Sequence, residues 1–359
     1  MGYGTLSTLD TLATNLQSIA QIGEDHAYDA VEHALMAQNR IRNELIELYA
    51  DSTEDRLRRF GTNPNTTMDE IDEFGEADAQ KITTGQTVGF PLRAYGATLR
   101  WTNIYFKRQN GKEFAAEVNS VLTADRLLTI RQIKRALFYS TNYTMDDRLV
   151  DHLSAITLPI KALANADGGQ LPAGPNGEFF NGSTHNHYMG STTSSVDDAN
   201  ITLLINNVAE HFAEGKLVLL INQAQESAFR SLTGAYQFVP YVDSRIVPKT
   251  TADVSLDNPL DPVQIYNRAI GIYRGAEVWI KPWVSSGYSI CLMSGPTKPL
   301  CIRVDPKLGN GDLVLESESD EHPLRAQKFA RYFGVGVWDR VAAAVMYWGG
   351  TSYVQPTIT

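Results

Sequence analysis

The chain has 359 residues, 43% of them hydrophobic and 20% charged, with a formal net charge of −10. That length holds about two domains and can bury a sizeable core, so a disordered, collagen-like or disulfide-stapled chain is excluded. The acidic balance argues against a protein that lives by gripping phosphates, because backbone binding rests on Lys and Arg. It leaves room for one that only lines a space filled with nucleic acid.

Residues 1–60 read as helical. Leu9, Leu12, Leu16 and Ile19 recur at helical spacing, as do Val31, Leu35, Ile41, Leu45 and Leu48. The stripe is thin and its opposite face is charged, so these helices need another surface to lie on. "MDEIDEFGEADAQKITTGQTVGFPLRAYGATLRWTNIYFKR" is strand-like, with turn residues near Thr83-Thr84-Gly85. It predicts two long strands, about 68–80 and 87–104, joined as an extended hairpin. A lone hairpin is marginal in water and its edges are unpaired, so this one is expected to project and be stabilised by a neighbour. Residues 111–141 predict a long amphipathic helix through Phe114, Val118, Val121, Ile133, Leu137 and Phe138, with a cap-like signal at Thr123-Ala124-Asp125 that would bend it.

A Gly/Pro/Asn-rich loop follows, about 164–195. "SVDDANITLLINNVAEHFAEG" then reads as a capped helix, "KLVLLIN" as a short buried strand and "QAQESAFRSL" as another helix. Further strands are predicted at "AEVWIKPW", "YSICLM" and "PLCIRVD". "ESESDEHP" reads as an acidic, solvated break. "RAQKFARYFGVGVWDRVAAAVMYW" is apolar on both faces, as in strands covered on both sides. The two cysteines, Cys291 and Cys301, read as free buried thiols. No basic-then-apolar leader opens the chain, so no signal peptide is expected, and no run nears the ~20 apolar residues of a membrane helix.

The stretch that most looks like chemistry is "FFNGSTHNHYMG", residues 179–190. On a strand, His185 and His187 would point to one side and could share a metal. A catalytic zinc usually takes three protein ligands and a water, often from His-Glu-x-x-His on a helix, and that pattern is absent. His26, His33, His152, His211 and His322 lie in scattered contexts, and Asp147, Asp151 and His152 would share a helix face away from the loop. His185 and His187 are therefore expected to hydrogen-bond a long loop onto its neighbours. Nucleophile-elbow, phosphate-loop, dinucleotide and Cys-x-x-Cys motifs are absent. No catalytic, cofactor-binding or metal residue is assigned, and no cofactor is expected.

The order of elements, with "VGFPLRAYGATLRWTNIYF", "GKLVLLINQAQESAFRSL", "GAEVWIKPWV" and "RYFGVGVWDRVAAAVMYW" in sequence, resembles the major capsid proteins of tailed bacteriophages, which have the Hong Kong 97-like fold. The resemblance covers nearly the whole chain and implies an α+β fold. In that reading 1–66 is an N-terminal arm and 67–108 an extended loop. Residues 109–194 with 322–359 form a peripheral domain built on the long spine helix, and 195–321 an axial domain. It implies pentamers and hexamers that close an icosahedral shell around double-stranded DNA, assembled in the host cytoplasm and carried in the virion. It further implies a portal, a separate scaffold and decoration proteins as partners, with DNA contacted weakly and no membrane. Inter-subunit contacts are expected at Leu9, Leu12, Leu16, Phe90, Leu92, Tyr95, Leu99 and Trp101. The alternatives are an encapsulin-type compartment of the same fold and a metal-dependent oligomeric enzyme using the His185/His187 loop.

Overall fold

The computed structural model describes residues 8–47, 49–61, 85–147, 156–191, 195–232, 236–241, 267–295, 297–319 and 324–358, and single positions 68, 70, 71, 73, 75 and 193. The chain opens with helices α1 (Leu9–Ala13), α2 (Ile19–Ile22) and α3 (Glu24–Glu47). Thr8 starts α1 by accepting from the Thr11 amide, which satisfies an otherwise orphan donor. The helical expectation runs too far, because 50–60 forms two strands, β1 (Ala50–Thr53) and β2 (Leu57–Phe60). β3 (Gln86–Gly89) and β4 (Arg93–Thr102) follow, then the short α4 (Asn103–Arg108) and the spine helix α5 (Gly111–Phe138).

The expected strand over 87–104 is thus broken in two, and the break has a cause. Pro91 has no N–H to give to a ladder, and its carbonyl lies so close to Gly334 that a Cβ there would sit 2.1 Å from it. The pairing also differs from a lone hairpin. β3 pairs antiparallel with β2, and β4 pairs along its whole length with a late strand. Most of the other proposed hairpin strand, 68–80, lies outside the described residues.

Asn110 caps α5 by accepting from the Glu113 amide, and the helix then runs unbroken for 28 residues. It does not bend at Thr123–Asp125. Asp125 faces inward and pairs with Arg331 at 2.8 Å, so the cap-like residue serves as a buried ion-pair partner.

After α5 come β5 (Tyr143–Asp147), β6 (Ile156–Ile160), β7 (Tyr188–Gly190), α6 (Asp198–Ala209), β8 (Lys216–Ile221), α7 (Glu226–Arg230) and β9 (Val239–Pro240). Then follow β10 (Arg268–Tyr273), β11 (Ala276–Ile280), β12 (Tyr288–Ser294), β13 (Leu300–Arg303), β14 (Val314–Ser319), β15 (Leu324–Val337) and β16 (Ala343–Tyr347). The acidic stretch expected as a solvated break is partly the edge strand β14, paired with β15, where Glu316 forms an ion pair with Lys328. Charge on an edge strand deters pairing with other chains.

Seven strands form one sheet in the order β7-β16-β12-β8-β11-β10-β9. A five-stranded sheet holds β1-β13-β15-β14, with β4 also on β15. Along β8, Val218 and Leu220 face the core shared with Ile133, Leu137 and Phe138 of α5. Leu219 and Ile221 face α6, against Ile201, Leu204 and Val208. A strand covered on both faces needs apolar residues at consecutive positions, and that is what "LVLLI" supplies. Cys291 on β12 and Cys301 on β13 are free and buried, and burial pushes the Cys301 thiol up to about 11.

Candidate functional site

The residues expected at inter-subunit contacts divide by burial. Leu9, Leu12, Phe90, Leu92 and Trp101 are buried within this chain and pack against its own residues. Leu9 and Leu12 pack with Ile19, Val31 and Leu35 against Phe114, Ala115 and Val118 of α5. The arm therefore has an intramolecular seat, where the sequence reading expected little private core. Trp101 joins the same cluster and donates its indole N–H to Glu117. Phe90 lies under β2 with Phe60 and Val88. Tyr95 and Leu99 are half-buried at the edges of two cores. Leu16 alone of the eight is largely exposed, at 80%. Met36, Ile104 and Leu57 are further exposed apolar residues on the same N-terminal third.

Several arginines pair within the chain. Arg56 lies 3.7 Å and Arg303 2.7 Å from the buried carboxylate of Asp147. Arg58 pairs with Asp55 at 2.6 Å and stacks over Trp338. Asp147 itself stands on strand β5, not on a helix face, and its carboxylate is taken by these arginines. Asp151 and His152 lie outside the described residues.

The loop holding His185 and His187 is ordered by backbone pairing on both sides. His185 N–H donates to Asn181 at 2.8 Å, and the Ala166 amide donates to His185 O at 3.1 Å. His187 N–H donates to Ala164 O at 2.7 Å, and the Val345 amide donates to His187 O at 2.8 Å. Beneath it the buried guanidinium of Arg340 donates to the carbonyls of Ala162 and Leu163, to Asn165 and to Asp167. Burial alone would raise the Asp167 carboxyl; hydrogen bonds from Lys161 and Arg340 and the Arg340 charge outweigh it and hold it well below the usual range.

A third histidine completes the site. His211, just beyond the C-terminus of α6, brings its Nε2 to 2.9 Å from that of His185 and 3.2 Å from that of His187. The His185 and His187 Nε2 atoms are themselves 2.9 Å apart. His187 Nδ1 lies 2.7 Å from the Ala343 carbonyl on β16. Glu210 places a carboxylate oxygen 3.6 Å from His185 Nε2 and 3.9 Å from His211 Nε2. The Phe180 ring packs on His211 and His185 with centroids 4.1 and 5.0 Å away. Burial lowers the pKa of all three imidazoles, with repulsion between neighbouring rings adding to it for His187 and His211, and His211 falls to about 3. Sequence reasoning left His211 among scattered histidines, because it is 24 residues from His187 with a helix and a loop between them. The signal in the sequence was only its place at the end of a predicted helix.

No known family model matches the chain, and no curated protein is similar to it in sequence. Solved structures are similar. One from Mycobacterium phage Patience aligns over 99% of this chain and 96% of its own, with a TM-score of 0.67 and 23% identity. The cyanophage A-1(L) capsid asymmetric unit aligns over 85% of this chain and 92% of its own at 0.46 and 12%. The SrpI encapsulin complex from Synechococcus elongatus PCC 7942 aligns over 88% and 90% at 0.45 and 13%. The last two fall below the similarity at which a shared fold follows. The first shows the fold end to end, and the α+β, Hong Kong 97-like architecture expected from the sequence holds.

Proposed function

We propose that this chain is the major capsid protein of a tailed double-stranded DNA phage. The observation that carries the reading is the likeness to the Mycobacterium phage Patience structure over nearly the whole length of both chains. On this reading the function is assembly: pentamers and hexamers tile an icosahedral shell, and no residue needs to be catalytic. The net charge of −10 suits a wall past which packed DNA slides, because a basic lining would hold the phosphates. Portal, scaffold and decoration proteins, and assembly in the host cytoplasm, belong to the same proposal.

So does the division into arm (1–66), extended loop (67–108), peripheral domain (109–194 and 322–359) and axial domain (195–321). Within it, β16 lies in the seven-stranded sheet beside β12, and β13 lies in the sheet of β15. The two domains on this reading share strands rather than meeting at a clean border.

The loop offers the test. Phe60 and Gln86 are directly paired across β2 and β3, so the chain enters and leaves the segment between them at one place. Replacing residues 62–84 by a short Gly/Ser linker is expected to leave a folded subunit that no longer forms shells. Full assembly of that variant would refute the loop's role. In shells of the full chain, DNA as the content supports the phage reading, and enclosed enzyme cargo would support an encapsulin instead.

A further inference from the structure

We propose that His185, His187 and His211 form a binding site for a divalent transition metal of the zinc class, with Glu210 placed to supply the fourth ligand. The site is a structural staple that fastens the irregular 181–187 loop to the end of α6. It stands on the geometry of one subunit and does not depend on the chain forming a shell.

The three Nε2 atoms make a triangle with sides of 2.9, 2.9 and 3.2 Å. An imidazole nitrogen either donates one hydrogen or offers one lone pair, never both. A closed triangle of hydrogen bonds would need each nitrogen to do both. His187 settles its own part. The Ala343 carbonyl can only accept, so His187 Nδ1 carries the proton and its Nε2 presents a lone pair to the other two rings. At most one of those rings can donate to it. At least one pair of nitrogens is then left in contact without a hydrogen between them, in a site where His187 and His211 side chains are buried. A cation at the centre removes the conflict, because it accepts all three lone pairs at once.

The dimensions fit. Ligand nitrogens ~2.0–2.1 Å from a tetrahedral zinc stand about 3.3–3.4 Å from one another, so the three rings need to open by only a few tenths of an ångström. The His187 Nδ1–H to Ala343 contact is the kind of outer hydrogen bond that orients a ligating imidazole. The backbone of His187 is held by Ala164 and Val345, so this ligand is placed before any ion arrives. Neutral rings are the form a metal needs, and burial favours it at all three. Three imidazoles and a carboxylate, with no thiolate, suit zinc or cobalt better than magnesium or calcium, which take oxygen ligands. Glu210, whose side chain is 41% exposed, has a carboxylate oxygen 3.6 Å from His185 Nε2 and 3.9 Å from His211 Nε2.

The test uses the full chain, stripped of metal by a chelator and dialysed. Zinc titrated by calorimetry is expected to bind at one equivalent per chain and to raise Tm, and cobalt(II) is expected to show the intense visible bands of tetrahedral coordination. Loss of an outer hydrogen bond typically costs 10–100-fold in metal affinity, so loss of a ligand in His211→Gln or His185→Gln should cost more than about 100-fold. His33→Gln, on the exposed face of α3, should change nothing. Wild-type stoichiometry does not depend on how well any variant folds. Binding well below one equivalent, or zinc affinity unchanged in His211→Gln or His185→Gln, would overturn the proposal.

Discussion

Along β8 every side chain from Val218 to Ile221 is buried, alternately against the spine helix and against α6. Among the described side chains of α1–α3 one stripe is buried, and two of its members, Ala27 and Ala30, are among the smallest side chains. Leu16, Met36 and Ile104 on the same third of the chain face outward. The N-terminal third is seated on α5 through this thinner stripe, with these apolar side chains left exposed. That difference is what a subunit requires if it must fold alone and still be stabilised further by its neighbours.

The largest break in this comparison should come where the two regions are tied. Arg331 on β15 pairs with Asp125 of α5 at 2.8 Å, both buried, and donates to the half-buried Asn39 of α3 at 2.9 Å. Arg331→Leu leaves the Asp125 charge without this partner, and losing one partner of a buried pair costs about 3–5 kcal/mol. Urea unfolding should show that loss, and a change under about 1 kcal/mol would mean the arm is not anchored there. Leu220→Ala, in the fully buried β8, should cost about 3 kcal/mol by the same measurement, because a cavity remains between two fixed layers.

A smaller effect depends on pH. Burial raises the Asp339 carboxyl from 3.8 to about 6, against the amides of Val341 and Ala342 that lower it. The folded state therefore prefers the protonated acid. That contribution is fully present below about pH 4 and is lost as pH rises through 6, a loss of about 2–3 kcal/mol by pH 7. Asp339→Asn should remove this slope and raise stability at pH 7, read from Tm at several pH values. An unchanged slope would contradict the assignment. The smallest stability effect belongs to Leu16→Ser, within about 0.5 kcal/mol because the side chain is exposed. Its expected consequence is slower or incomplete assembly, measured by light scattering. A large loss of Tm would show that Leu16 belongs to the subunit's own core.

The elements with strong local signals were legible. α6 announced itself through Asp197, whose side chain accepts from the Asn200 amide, and β8, β11 and β12 through short apolar runs. The elements missed were those decided by distant partners. β1 and β2 carry charged residues that read as a helix face, yet they are strands because β13 and β3 lie beside them. β14 reads as solvated acid until β15 supplies Lys328. His211 joins His185 and His187 only because β16, β12 and β8 set α6 over the loop. The contact residues were hardest, because an apolar residue at helical spacing looks the same whether it faces α5 or another subunit. Leu12 and Leu16 are four residues apart, but α1 ends at Ala13, and their exposures are 3% and 80%.

The central claim is that this chain assembles into shells, and negative-stain electron microscopy of the purified chain with its mass from light scattering tests it most directly. Uniform hollow shells, or free pentamers and hexamers, are the predicted result. A homogeneous monomer, dimer or tetramer with no larger species at any salt concentration would contradict it.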